Sequence, residues 1–172
     1  MKRLLTATLI AGLIGSSALA IKIENLPYMG DFHLGIVNGP GLGINLGVDG
    51  GIHYNDLDIG LEIYQIMTDA NYSATISATR FGAIIGLRLS PNLKVNGHYG
   101  YFNFVPNRDI VFKDMSGTNQ LVSENQNYKG DYTAVSLDYF IWDLIFSPKY
   151  VLNRINEKGL LSEIDLNIGK PF

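Results

Sequence analysis

Alternation with a period of two runs through almost the whole chain. In the stretch 57–63 Leu57, Ile59, Leu61 and Ile63 alternate with Asp58, Gly60 and Glu62. Ala83, Ile85, Leu87 and Leu89 repeat the pattern, as do Val135, Leu137, Tyr139 and Ile141. The sequence closes on "EIDLNIGKPF", where Ile164, Leu166 and Ile168 alternate with Glu163, Asp165 and Asn167. Successive side chains of a strand point to opposite faces, so this pattern makes strands with one apolar and one polar face. Helical periodicity is almost absent. An all-β chain is expected, in which each strand edge must be paired and each apolar face covered.

Eight strands are predicted, over residues 31–37, 42–54, 57–67, 79–89, 93–104, 132–144, 149–155 and 160–172, with turns at "NGPG", Asn55-Asp56, "SPN", "FSPK" and "NEKG". Longer connections follow the third strand ("TDANYSATIS") and the fifth (Pro106 to Asp131). Directly opposed side chains share a face, which tests the assignment. A two-residue turn at Asn55-Asp56 sets Tyr54 against Leu57, Ile52 against Ile59, Val48 against Ile63, Leu46 against Gln65, and His53 against Asp58 on the other face. A three-residue "SPN" turn sets Leu89 against Leu93, Leu87 against Val95 and Phe81 against Tyr101. The first strand matches the second only through an odd-numbered loop.

Residues 1–20, "MKRLLTATLIAGLIGSSALA", have the charged start (Lys2, Arg3), apolar run and small-residue cleavage site of a secretory signal. The expected mature chain, 21–172, is a single domain. It keeps 11 basic against 16 acidic residues, a net charge near −5, and this argues against a nucleic-acid partner. There are no cysteines, so no disulfide framework, thiolate metal site or lipid-modified cysteine is available. No other apolar stretch approaches the length of a membrane helix.

Whether the apolar face looks inward or outward decides the class. A soluble lipocalin-like barrel buries it around a small hydrophobic ligand, whereas a membrane barrel turns it to lipid. The polar phase is rich in glycine (Gly35, Gly43, Gly47, Gly51, Gly60, Gly82, Gly86, Gly100), which makes a poor solvent face but leaves room inside a narrow tube. Its charges come in both signs, as a closed interior needs. Aromatic residues fall towards strand ends on the apolar phase: Tyr54 and Phe172 at one rim, Phe81 and Tyr101 at the other, with Tyr139 in the same phase. That is the girdle position at the lipid headgroups. The turns at 55–56, 90–92 and 146–148 are short and share a side, while the longer loops lie opposite. An eight-stranded antiparallel up-and-down transmembrane β-barrel is expected, its last strand pairing with the seventh and the first.

In its signal peptide, eight alternating strands and C-terminal phenylalanine, the chain resembles the small eight-stranded bacterial outer-membrane proteins of the OmpX and OmpA membrane-domain kind. The likeness is one of architecture over the whole mature chain, and it identifies no specific family. It implies export to the outer membrane, outer-membrane lipid as a partner, and recognition of the Phe172 strand by the barrel-assembly machinery. Lys170 and Pro171 depart from the pattern, since those proteins usually carry a further aromatic there.

The charged residues of the polar phase are predicted to meet inside as a structural network: Asp49, His53, Asp58, Glu62, Arg80, Arg88, Lys94, His98, Asp138, Arg154, Glu163 and Asp165. Asp49 opposes Glu62 and Arg88 opposes Lys94, so each needs a partner from elsewhere. With Tyr64, Phe102, Phe140 and Trp142, this set should plug a lumen just wide enough for side chains; a narrow gated pore is the competing reading. No catalytic, cofactor or metal site is expected. The three histidines lie apart in sequence without a close ligand set, and none falls on an outer loop or upper rim, where an enzyme acting on surface lipid would place its base. "NGPGLG" lacks the lysine of a phosphate loop. The polar segment 106–131 has room for recognition, but its composition names no ligand.

Overall fold

A computed structural model describes residues 28–39, 41–70 and 74–172. The signal expected over residues 1–20 lies outside them. Ten strands form: β1 Tyr28–Asn38, β2 Leu42–Tyr54, β3 Leu57–Ala70, β4 Ala74–Ser90, β5 Leu93–Pro106, β6 Ile110–Lys113, β7 Asn119–Val122, β8 Tyr128–Ile141, β9 Leu144–Ile155 and β10 Gly159–Pro171. Eight of them close an antiparallel barrel in the order β1-β2-β3-β4-β5-β8-β9-β10, and β6 and β7 form a separate hairpin within the β5–β8 connection.

Closure runs from Asn38 opposite Ile164 to Asp31 opposite Pro171, and the Phe172 N–H continues the ladder by donating to the Gly30 carbonyl at 2.9 Å. The terminal strand is therefore paired on both sides. Both described ends and the turns 55–56, 91–92 and 142–143 share one end of the barrel, here the lower end. Residues 39 and 41, the 107–127 connection and loop 156–158 lie at the upper end.

Register follows the hydrophobic pattern. Tyr54–Leu57, Ile52–Ile59, Val48–Ile63 and Leu46–Gln65 all pair, and β1 meets β2 across the odd-numbered loop 39–41. The β4–β5 turn differs from expectation. Phe81 does oppose Tyr101, and Leu87 opposes Val95. Nearer the turn, however, Ser90 rather than Leu89 faces Leu93, because the turn uses only Pro91 and Asn92 and Leu89 bulges out of the ladder.

The β8–β9 turn also moves. Residues 146–148 do not turn; the reversal is at Trp142-Asp143, with Ile141 opposite Leu144. Trp142 takes the left-handed φ of 54° that such a tight turn requires. Pro148 marks an interruption rather than a turn. It pairs with Leu166 on the β10 side, while on the β8 side the pairing skips from Ser136–Lys149 to Tyr139–Phe146. A proline has no N–H to give to a ladder, and it sits where one ladder is open.

The apolar phase faces out. Leu61, Ile85 and Leu137 are exposed, whereas Glu62, Asp58 and Lys94 are buried. On β4 the outward apolar run from Phe81 to Leu89 is about 27 Å along the strand, or about 20 Å along an axis inclined by about 40°, close to the lipid-facing band of a membrane barrel. Above it the outer face turns polar: Gln65 donates to the Ser77 hydroxyl at 3.0 Å and accepts from Thr79 at 2.9 Å. An exposed apolar belt of this extent has no stable form in water, so it needs an acyl-chain environment. The soluble lipocalin-like alternative requires the opposite orientation.

Candidate functional site inside the barrel

Inward-facing side chains form polar tiers beneath an apolar cap. Glycines in the inward phase make the space. A Cβ built on Gly47 would lie 2.3 Å from the Tyr64 ring, and one on Gly82 would lie 2.2 Å from the Tyr132 hydroxyl. Each large ring occupies volume that the glycine leaves empty.

In the uppermost polar tier Arg80 donates to Asp165 at 2.8 Å and also to Glu163, which accepts a further bond from Asn153 at 2.6 Å. The guanidinium fork meets two carboxylates from the far side of the barrel, tying β4 to β10 across the lumen. In the middle tier Glu62 collects the Tyr132 hydroxyl at 2.5 Å, the Lys149 ammonium at 2.9 Å and His98 Nδ1 at 3.0 Å. Lys149 also sits 4.1 Å above the Tyr64 ring centroid. In the lowest tier Lys94 bridges Asp58 at 3.2 Å and Asp138 at 3.3 Å. Asp138 accepts further bonds from Ser147 at 2.6 Å and Asn96 at 2.7 Å. His53 pairs with Asp58, and His33 Nε2 lies 2.8 Å from Asp49.

The like-charged cross-strand pairs find separate partners. Asp49 turns to His33 while Glu62 turns to Lys149. Lys94 takes the two aspartates, and Arg88 stacks 5.2 Å over the Phe140 ring. Eleven of the twelve expected charged residues thus point into the barrel. Arg154 does not. It is on the outward phase of β9, its side chain 66% exposed, and it pairs with Asp131 at 2.9 Å on the outer surface of the upper rim. The error came from the turn wrongly assigned at "FSPK", which left the phase of β9 unanchored. The same error hid Lys149, whose inward position follows once Ser147, Lys149, Val151 and Asn153 are read as one face. Asp31 and His33 were also missed as network members, although their i, i+2 spacing on β1 puts both on the inner face.

Of the expected plugging aromatics, Tyr64 and Phe102 are buried inside, and Phe140 lies over the lower charges. Trp142 is 95% exposed at the tip of its turn. The five residues expected as a girdle, Tyr54, Phe81, Tyr101, Tyr139 and Phe172, are all exposed on the outer face. Phe81 and Tyr101 oppose each other just below polar Thr79 and Asn103.

Above Arg80 the interior turns apolar. Ile76, Phe102, Phe104, Val151 and Ile155 pack against Ile110, Phe112 and Val122 of the β6–β7 hairpin. The hairpin's burial alternates, with Val111 and Leu121 outward, so one face closes over the barrel mouth. A small recess remains between this cap and the Arg80–Glu163 pair, and a second, smaller one lies in the lower tiers.

Ser136, His98 and Glu62 are spaced like a hydrolytic triad, with Ser136 Oγ 3.0 Å from His98 Nε2. They are also members of the closed network. Ser136 Oγ already accepts from Asn96 at 2.9 Å. It is 1% exposed, and the adjoining recess has room for about one water.

The fold is that of the small bacterial outer-membrane barrels. The chain is similar to a major outer-membrane protein of Thermus thermophilus, with a TM-score of 0.56 at 11% identity over 85% of this chain and all of the other. It is also similar to the outer-membrane protein Ail of Yersinia pestis in a phospholipid bilayer nanodisc, with a TM-score of 0.54 at 12% identity over 85% of this chain and 100% of that one. The crystal structure of Ail gives 0.53 at 12% identity, over 84% and 96% of the two chains. No protein-family model matches the sequence, and no curated protein matches it. At these identities the likeness is one of fold.

Proposed function

We propose that this chain resides in the outer membrane as a small non-enzymatic barrel, its lumen closed by its own side chains and its role structural or surface-interacting. The observation that carries the reading is the lumen. Arg80, Glu62, Lys149 and Lys94 cross it at successive levels with their partners, and the β6–β7 hairpin lies over the upper mouth. Buried charges that find several partners each are an economical plug for a tube of eight strands. The outer lipid belt supports the location. The β5–β8 connection, standing beyond the belt at the end opposite the chain ends, is the surface available to a partner.

The test combines folding and conductance. Folded protein in detergent is expected to migrate differently on a denaturing gel before and after heating, and to give silent planar bilayers. Replacing Ile110–Val122 with a short linker should leave the heat-modifiable barrel intact, because β5 and β8 pair up to Phe104–Tyr128 without the hairpin. Steady conductance of the wild-type protein would favour the gated pore, and a monodisperse monomer in plain buffer would reject the membrane reading. Ester hydrolysis lost in Ser136→Ala would overturn the non-enzymatic assignment.

A further inference from the structure

Below the charge tiers, β1 and β2 bring three ligand-type side chains together. Asp31 and His33 share the inner face of β1, and Asp49 is the direct cross-strand partner of Asp31. One ligand atom from each lies within 4.8 Å of the others, and all three residues are buried. Their exposures are 6%, 2% and 8%. Two of the groups lack the partners that burial demands. Asp31, facing this cluster and 6% exposed, makes no hydrogen bond or ion pair among the described residues, and Asp49 Oδ1 has no hydrogen-bond partner. An uncompensated buried carboxylate is costly, so such groups are paired or bound to a cation.

Charge balance points the same way. The lower tiers hold Asp31, Asp49, Asp58 and Asp138 against Lys94 and Arg88. Lys94 is committed to Asp58 and Asp138, and Arg88 lies over Phe140. Counting both His33 and His53 as uncharged, Asp31 and Asp49 are left two charges short. We propose that Asp31, His33 and Asp49 bind a divalent transition-metal cation at the lower end of the barrel interior.

The geometry suits such an ion. Ligand atoms on neighbouring vertices of an octahedral site lie about 3.0 Å apart when each is about 2.1 Å from the metal. His33 Nε2 and Asp49 Oδ2 are 2.8 Å apart before any ion enters. An imidazole nitrogen with two carboxylates selects zinc, iron or manganese over calcium or magnesium, which prefer oxygen alone. The strands hold the groups at fixed spacing, so little ordering is needed on binding. The lower recess touches His33 and Asp49, and beside them Met29, Asn96, Ser147, Lys94 and Lys149; the two lysines are held by Asp58 and Asp138 and by Glu62. The recess has room for about one water. The site stands independently of whether the lumen conducts.

The test is titration of the folded, chelator-stripped full-length barrel in detergent with Zn²⁺, followed by calorimetry and by X-ray absorption at the zinc edge. One equivalent is expected, with a single imidazole among its ligands. His33→Gln and Asp49→Asn should each weaken binding by about 10- to 100-fold or more, the range over which even supporting residues of metal sites act. Asp31→Asn should do the same, and because its carboxylate holds no hydrogen bond it should leave the heat-modifiable fold intact. Millimolar Mg²⁺ should not compete. Absence of Zn²⁺ binding to the folded wild-type protein overturns the proposal, as does binding that Asp31→Asn and His33→Gln both leave unchanged.

Discussion

Arg80 shows what one residue does in this interior. Its guanidinium is 3% exposed and spans to Asp165 and Glu163, two carboxylates separated by one residue on β10. Taking charges from water is expensive, and the cost is recovered only while every partner is present. Arg80→Met is therefore expected to lose about 3–5 kcal/mol of stability, since it strands two buried carboxylates. Urea unfolding of the micelle-bound barrel, followed by the fluorescence of Trp142, measures it. Arg80→Lys should lose less but not recover fully, because one ammonium cannot reproduce the planar fork. A loss below that of an ordinary surface substitution would show that Glu163 and Asp165 find other partners.

At the scale of the strand, depth in the belt governs the cost of a change. Ile85 is at the middle of the outward run Phe81–Leu89 and is 60% exposed, while Leu89 is at its lower end and 57% exposed. Equal exposure would predict equal tolerance in water. In a bilayer Ile85→Lys should cost about 2–4 kcal/mol and Leu89→Lys about 0–1 kcal/mol, read by reversible unfolding in lipid vesicles. Equal penalties at the two depths would contradict the lipid-facing belt. The terminal strand carries a separate expectation. The Phe172 backbone is held by Gly30, and its ring is exposed outside the barrel. Phe172→Ala should leave in vitro stability nearly unchanged and lower the heat-modifiable fraction assembled in cells. An unchanged fraction would remove Phe172 from the assembly signal.

For the molecule as a whole, the alternating pattern was enough to decide that strands form and which residues share each face. It gave β2 its bounds and most β2–β3 and β4–β5 partners, because a one-residue slip would turn every side chain to the wrong environment. It also placed Asp49, Asp58, Glu62, Arg80, Lys94, His98 and Asp138 on one inner face. It did not decide the β8–β9 reversal, where Pro148 resembled a turn and Trp142 did not, so that Arg154 fell on the wrong face and Lys149 was overlooked. Nor could it show that the segment after Pro106 folds back as a hairpin over the mouth, since four-residue strands leave almost no periodic trace. Alternation is a property of neighbours along one strand, so it is written in the sequence. Which carboxylate meets which cation across the lumen depends on closure, which brings residues as far apart as Arg80 and Asp165 within one hydrogen bond. Only the closed barrel fixes those meetings, whereas the one that joins Asp31, His33 and Asp49 follows from the β1–β2 register.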